Sequence, residues 1–155
     1  CSGDGSATPC PCGNSGAPGN GCNNSLGVGG ARLDAYGVAR LTNDTLRLNL
    51  TGVPAVASVL YFQGTARENG GAGTVLGDGL LCTSGALIRL GARNANGGTS
   101  SFGFGVGADP LISVRGQIPG GGATRSYQAW YRNAANFCTP STFNLSNGLE
   151  LVWAP

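Results

Sequence analysis

The chain has 155 residues, a formal net charge of +2, 29 glycines and an apolar fraction of 41%. That length suits one domain with a core of ordinary size. The apolar fraction is too high for a disordered chain, and glycine without a three-residue period excludes collagen. The nine arginines are scattered from Arg32 to Arg132 without a cluster, which leaves no footprint for nucleic acid.

Histidine, lysine and methionine are absent. Without histidine no Ser-His-Asp or Cys-His site can be assembled, and no imidazole is available to a metal. Without lysine neither a Schiff base nor a Lys–Asn isopeptide cross-link can form. Any covalent stapling is left to cysteine.

Four of the six cysteines, Cys1, Cys10, Cys12 and Cys22, lie in a glycine-rich opening stretch with no apolar face to bury. Disulfides or a metal must order it. An even cysteine count in a small chain favours oxidised pairs and export. Zinc would have to use C-x8-C-x-C-x9-C, a spacing without the paired C-x2-C knuckles of structural zinc sites. Cys10 and Cys12 sit two apart and point to opposite sides, so each needs another partner. The local options are Cys1 and Cys22, in nested or crossed bridges, which leaves Cys82 to pair with Cys138. A loop of about 57 residues closed in that way would contribute ~4 kcal/mol. A chain starting at Cys1 reads as processed or excised from something longer. Lipidation of Cys1 is the competing reading, but it would leave an odd number of thiols. Asp4, in Gly-Asp-Gly-Ser, reads as a turn residue, since no D-x-D-x-D run follows to make a calcium loop.

Residues 1–30 thus form an arm and 31–155 a body. Ala31 to Leu41 alternates, with Leu33, Ala35, Gly37, Ala39 and Leu41 on one face and Tyr36 among the polar residues of the other. After a turn at Thr42-Asn43-Asp44, residues Thr45 to Thr51 alternate without a break, and the two segments predict a hairpin. Ala57 to Phe62 is a continuous apolar run, suited to a strand buried on both faces. Gln63 to Gly73 reads as a loop. Strands follow at Thr74–Leu76 and Leu80–Cys82 around a Gly77-Asp78-Gly79 turn, and at Ala86–Gly91, before a polar loop over Asn94–Ser101.

Phe102 to Gly107 alternates apolar residues with glycine, which predicts a strand with one bare face. Leu111 to Ile118 reads as a strand and Pro119–Gly122 as a turn. Thr124 to Arg132 alternates, Tyr127, Ala129 and Tyr131 against Ser126, Gln128, Trp130 and Arg132. Phe143 and Leu145 precede an Asn147-Gly148 turn, and Leu149 to Trp153 closes the chain with Trp153 in the core. Eight or nine strands, no helix and turns every 8–12 residues predict an all-β fold, a β-sandwich or jelly roll.

Seven carboxylates are present, Asp4, Asp34, Asp44, Glu68, Asp78, Asp109 and Glu150. A glycosidase would need two across a cleft, for example Asp78 with Asp109. Most sit at turns or on polar faces, so no catalytic residue, metal site or cofactor is assigned. Trp130, with Tyr127 and Tyr36, is the candidate contact for a sugar or for assembly. Asn23, Asn43, Asn49 and Asn144 each begin an Asn-x-Ser/Thr sequon, with Asn43 and Asn49 on or beside the outward face of the first hairpin. No apolar run approaches the ~18 residues of a membrane span.

The stretches Cys-Ser-Gly-Asp-Gly-Ser, Cys-Pro-Cys-Gly-Asn and Gly-Asn-Gly-Cys within 1–22, Leu-Tyr-Phe-Gln-Gly-Thr (60–65), Gly-Asp-Gly-Leu-Leu-Cys (77–82), Tyr-Gln-Ala-Trp-Tyr-Arg-Asn with Phe-Cys-Thr-Pro (127–140) and the closing Phe-Asn-Leu-Ser-Asn-Gly-Leu with Val-Trp (143–153) carry a resemblance. The chain is similar, over nearly all its length, to a domain of exported proteins from environmental bacteria that has no assigned activity. The resemblance implies export and a modular surface role. These readings combine into a secreted, cell-surface structural or adhesive module and not an enzyme. It would be a filament subunit joined to copies of itself by strand or arm exchange. The alternative is a carbohydrate-binding module that holds polysaccharide on its surface aromatics.

Overall fold

The alternation of Leu46, Leu48 and Leu50 produces the strand it predicts. In the computed structural model, which describes residues 1–155, β1 (Arg32–Tyr36) and β2 (Arg47–Thr51) pair antiparallel, with Leu33 opposite Leu50 and Ala35 opposite Leu48. A later strand, β9 (Thr99–Gly103), lies on the other side of β2 and completes a three-stranded sheet.

The second sheet is built around β3 (Ser58–Gly64), which lies between β8 (Ile88–Asn94) and the ten-residue β10 (Ala123–Arg132). Along its other edge β10 carries β11 (Phe143–Leu145) and β12 (Leu149–Trp153) end to end. Two small pairs complete the fold, β4 (Ala66–Arg67) with β7 (Thr83–Ser84) and β5 (Thr74–Leu76) with β6 (Gly79–Leu81).

The sheets face one another across a single main core. Leu33, Leu48, Leu50 and Phe102 come from one side, and Val59, Tyr61, Tyr127, Ala129, Tyr131 and Trp153 from the other. Each fully buried side chain of this size contributes roughly 1.5–3 kcal/mol. The all-β sandwich predicted from alternation and turn spacing is therefore present. Its strands number twelve: the two-residue β4 and β7 fall in segments not read as strands, and β11 is cut from β12 by a bulge.

Five segments differ from the sequence reading. Leu111–Ile118 is no strand but a single helical turn, α1 (Ile112–Arg115), flanked by Pro110 and ended by Gly116. Within the helical turn Ile112 is buried in the core while Val114 is exposed, so alternation fails there. The Phe102–Gly107 strand stops at Gly103, whose φ of +112° turns the chain; a Cβ there would press on the Leu46 carbonyl and Ile112. The loops expected over 63–73 and 94–101 are shortened, since Gln63 and Gly64 complete β3 and Thr99 opens β9.

The fifth is Asn147-Gly148, which makes no hairpin. Trp130 faces Leu145 and Tyr127 faces Leu149, so Ser146, Asn147 and Gly148 stand opposite only Gln128 and Ala129. This is a β-bulge in one long strand.

The arm is pinned to the body. Disulfides join Cys1 to Cys82, Cys10 to Cys22 and Cys12 to Cys138. The predicted Cys82–Cys138 bridge is overturned, and of the local options only Cys10–Cys22 exists. The arm lies along β6 and β11, where Gly148 donates to the Cys1 carbonyl, and it reaches both body cysteines. Loop closure costs little more for a long loop than for a short one, so proximity in sequence was a poor guide. With every cysteine oxidised, none is a zinc ligand, and Cys1 has no thiol left for a lipid. Further along, the buried Asn24 amide donates to the Gly52 carbonyl and to the Tyr131 hydroxyl.

Candidate functional site

The outer face of the five-stranded sheet is apolar where sequence alternation called for polar residues. Cross-strand register puts Trp130 beside both Leu60 and Leu145, and Gln128 beside Phe62. Ser126 and Gln128 of that face are covered. The Gln128 amide accepts from Cys82 N–H and donates to the Leu80 and Ser146 carbonyls, and Ser126 Oγ lies 3.0 Å from Thr83 Oγ1. These bonds lay the β5–β6 hairpin and β7 across one part of the face and leave the part around Trp130 open.

The result is a groove of about 780 Å³. Leu60, Phe62, Trp130 and Leu145 form its floor, Leu76 and Leu81 of the β5–β6 hairpin one wall, and Leu87 and Ile88 the other. Phe143 backs Trp130, their rings tilted with centroids 5.5 Å apart. Gly77, at φ +61°, lets the hairpin turn against the Phe143 ring, which occupies the space a Cβ would need. Arg89 is the single charged lining residue; it is exposed and makes no ion pair or hydrogen bond within the chain. The lining holds no carboxylate, thiol or hydroxyl, so the groove itself offers no acid, base or nucleophile.

The other predicted residues are dispersed. Tyr127 is buried in the core, where its hydroxyl accepts from Trp153 Nε1 at 2.6 Å, so it is no surface contact. Tyr36 is 58% exposed at the end of β1, in the opposite sheet. Trp153 is core, as expected.

Among the sequons, Asn144 is fully buried with its amide donating to the Cys22 and Asn23 carbonyls, which closes it to a glycan in the folded chain. Asn23 spends its side-chain oxygen on the amides of Asn24, Gly29 and Gly30. Asn49 is half-buried and bonded to Arg47 and Ser101, and Asn43 is exposed.

The carboxylates are each engaged locally. Asp78, buried at the β5–β6 turn, accepts from the amide and hydroxyl of Thr139, while Asp109 pairs with Arg93 and accepts from Gly103 N–H. The suggested Asp78–Asp109 pair shares no cleft. Asp4 accepts from the Ser6 hydroxyl and from the Gly19 and Ser6 amides, which hold its carboxyl well below the usual range. No group of three or more His, Cys, Asp or Glu side chains gathers anywhere.

Trp130 is thus the one predicted contact that lies in the groove. Its neighbours were missed, although a signal existed: Val59 to Phe62 is apolar at every position, which marks both faces of β3 as apolar and so an apolar outer surface wherever nothing covers it. Comparison with models of protein families, with curated proteins and with solved structures returns no match.

Proposed function

We propose that the chain is an extracellular structural or adhesive module, a disulfide-locked β-sandwich that presents one apolar groove to a partner surface. The observation that carries this reading is the groove itself, an apolar depression left uncovered on a sheet face whose neighbouring part is covered. Three disulfides suit an oxidising compartment and support placement outside the cell. The resemblance to exported domains supports the same placement. No helix is long and apolar enough to cross a membrane.

The arm is tied to its own body by two bridges, which favours adhesion through the groove over a filament joined by arm exchange. Copies meeting through the apolar face would make the heterologous contact that builds filaments, and assembly is tested alongside. The polysaccharide alternative has less support, because a sugar needs hydrogen-bonding groups around its aromatic platform and the groove around Trp130 is lined by apolar side chains apart from Arg89.

The test uses non-reduced protein captured on alkyl-coated beads, with light scattering and negative-stain electron microscopy in parallel. Leu87 is 54% exposed at the groove rim, so Leu87→Glu should keep the fold and abolish capture. Capture equal in both proteins, or absent from both, overturns the reading. Regular filaments that dissolve in the variant would identify the partner surface as another copy.

A further inference from the structure

Resting on the reading of the groove as the contact surface, we infer that it binds a free long-chain alkyl carboxylate. The chain of this ligand lies over Leu60, Phe62 and Trp130, and its carboxylate meets the Arg89 guanidinium. The argument is one of matching needs. Eight of the nine lining residues are hydrophobic and the ninth is Arg89. An extended peptide laid in the groove would bury amides and carbonyls that no lining side chain could satisfy, and a sugar would bury hydroxyls in the same way. Each such group would cost free energy. An alkyl chain has nothing to satisfy. The volume of about 780 Å³ falls within the range of small-molecule sites.

The head group follows from charge. Arg32, Arg67 and Arg93 are each paired with a carboxylate of the chain, whereas Arg89 has no partner at the groove mouth. A guanidinium offers a planar fork that a carboxylate fills with two parallel hydrogen bonds. A second copy of the chain would have to bring an exposed acidic group beside an apolar segment. Asp34, Asp109 and Glu150 are ion-paired, Asp44 and Asp78 are buried, Asp4 is held by Ser6 and Gly19, and the half-buried Glu68 accepts from the Thr74 hydroxyl. A monomeric amphiphile therefore fits better than a neighbouring subunit.

The experiment titrates full-length, non-reduced protein with dodecanoate below its micelle concentration, by calorimetry and by tryptophan emission. Dodecyltrimethylammonium serves as the same chain with a cationic head, and anionic phospholipid vesicles as a membrane source of acyl chains. Saturable one-to-one binding of dodecanoate is expected, with the cation at least about tenfold weaker. Arg89→Gln should weaken dodecanoate about five- to tenfold. Arg132→Gln, on the same sheet face but outside the groove lining, should change nothing.

Absence of dodecanoate binding, equal affinity for anion and cation, indifference to Arg89→Gln, or binding only to vesicles each overturns the inference. If the alkyl beads still capture the protein in a Leu87-dependent way, only the inference falls. If they do not, the groove reading falls with it.

Discussion

Asn147 acts as a strand in miniature. The bulge turns its side chain towards the other sheet, where its Oδ1 accepts from Leu33 N–H at 2.7 Å and its Nδ2 donates to the Leu33 carbonyl at 3.1 Å. One amide side chain thereby caps the free edge of β1 and ties the two sheets together. Asn147→Ala leaves both Leu33 groups buried and unpaired and should cost about 2–4 kcal/mol in urea unfolding of the oxidised protein. The Asn-Gly dipeptide signalled a local departure from extended backbone, and that much was legible. It could not say that the departure was a bulge, because a bulge is defined by the partner strand. The buried phenols give a second expectation at this scale. Burial pushes Tyr61 up to about 12 and raises Tyr127 and Tyr131 further. An unfolded chain ionises its tyrosines near pH 10, so below about pH 10 their contribution to stability is intact. It is lost as pH rises towards and past 12. Melting temperature should fall steeply above about pH 10, with phenolate absorbance rising together with the loss of structure.

Among the elements, β10 organises the most. That Tyr127, Ala129 and Tyr131 share one face of β10 was legible from alternation; all three fill the core, Tyr127 included, contrary to its expectation as a surface contact. Its outward residues were legible only as polar, and their fates diverge according to what lies across them. Gln128 is buried as the anchor of the β5–β6 hairpin, while Trp130 is left in the groove. Neither fate is written in β10. Both depend on where a hairpin some fifty residues earlier comes to rest, as its bond from Gln128 to Leu80, 48 residues away, records. The same limit hid α1, where a Pro110 start and a Gly116 stop outweighed an apolar composition that suits a strand equally well. The hairpin wall can be tested by itself. Gly77→Ala places a methyl against Phe143 on a left-handed backbone and should cost about 1–3 kcal/mol. By pushing Phe143 towards Trp130, it should also weaken capture on alkyl beads.

For the whole molecule, the disulfides decide how firmly the arm belongs to the body. Cys12–Cys138 spans 126 residues and Cys1–Cys82 spans 81, against 12 for Cys10–Cys22. On the chain-entropy model each long bridge contributes about 4–5 kcal/mol and the short one about 3. Replacing Cys12 and Cys138 together by serine should therefore lower stability more than replacing Cys10 and Cys22, by a margin of about 1–2 kcal/mol in denaturant. That the cysteines are oxidised could be read from their even count. The pairing could not, because it depends on the course of the arm across β6 and β11.

That pairing also has a consequence for biogenesis. As the chain is synthesised, Cys1, Cys10, Cys12 and Cys22 emerge together, well before Cys82 and Cys138 exist. Of the bridges open to them at that moment only Cys10–Cys22 is native, so Cys1 and Cys12 are left facing each other with their true partners still to come. A Cys1–Cys12 bridge, if oxidised at that stage, would have to be reopened by thiolate exchange, a step that takes minutes to hours without catalysis. Refolding of the reduced, unfolded chain should therefore be accelerated more by a disulfide isomerase than by additional oxidant, as non-reducing gels over time would show.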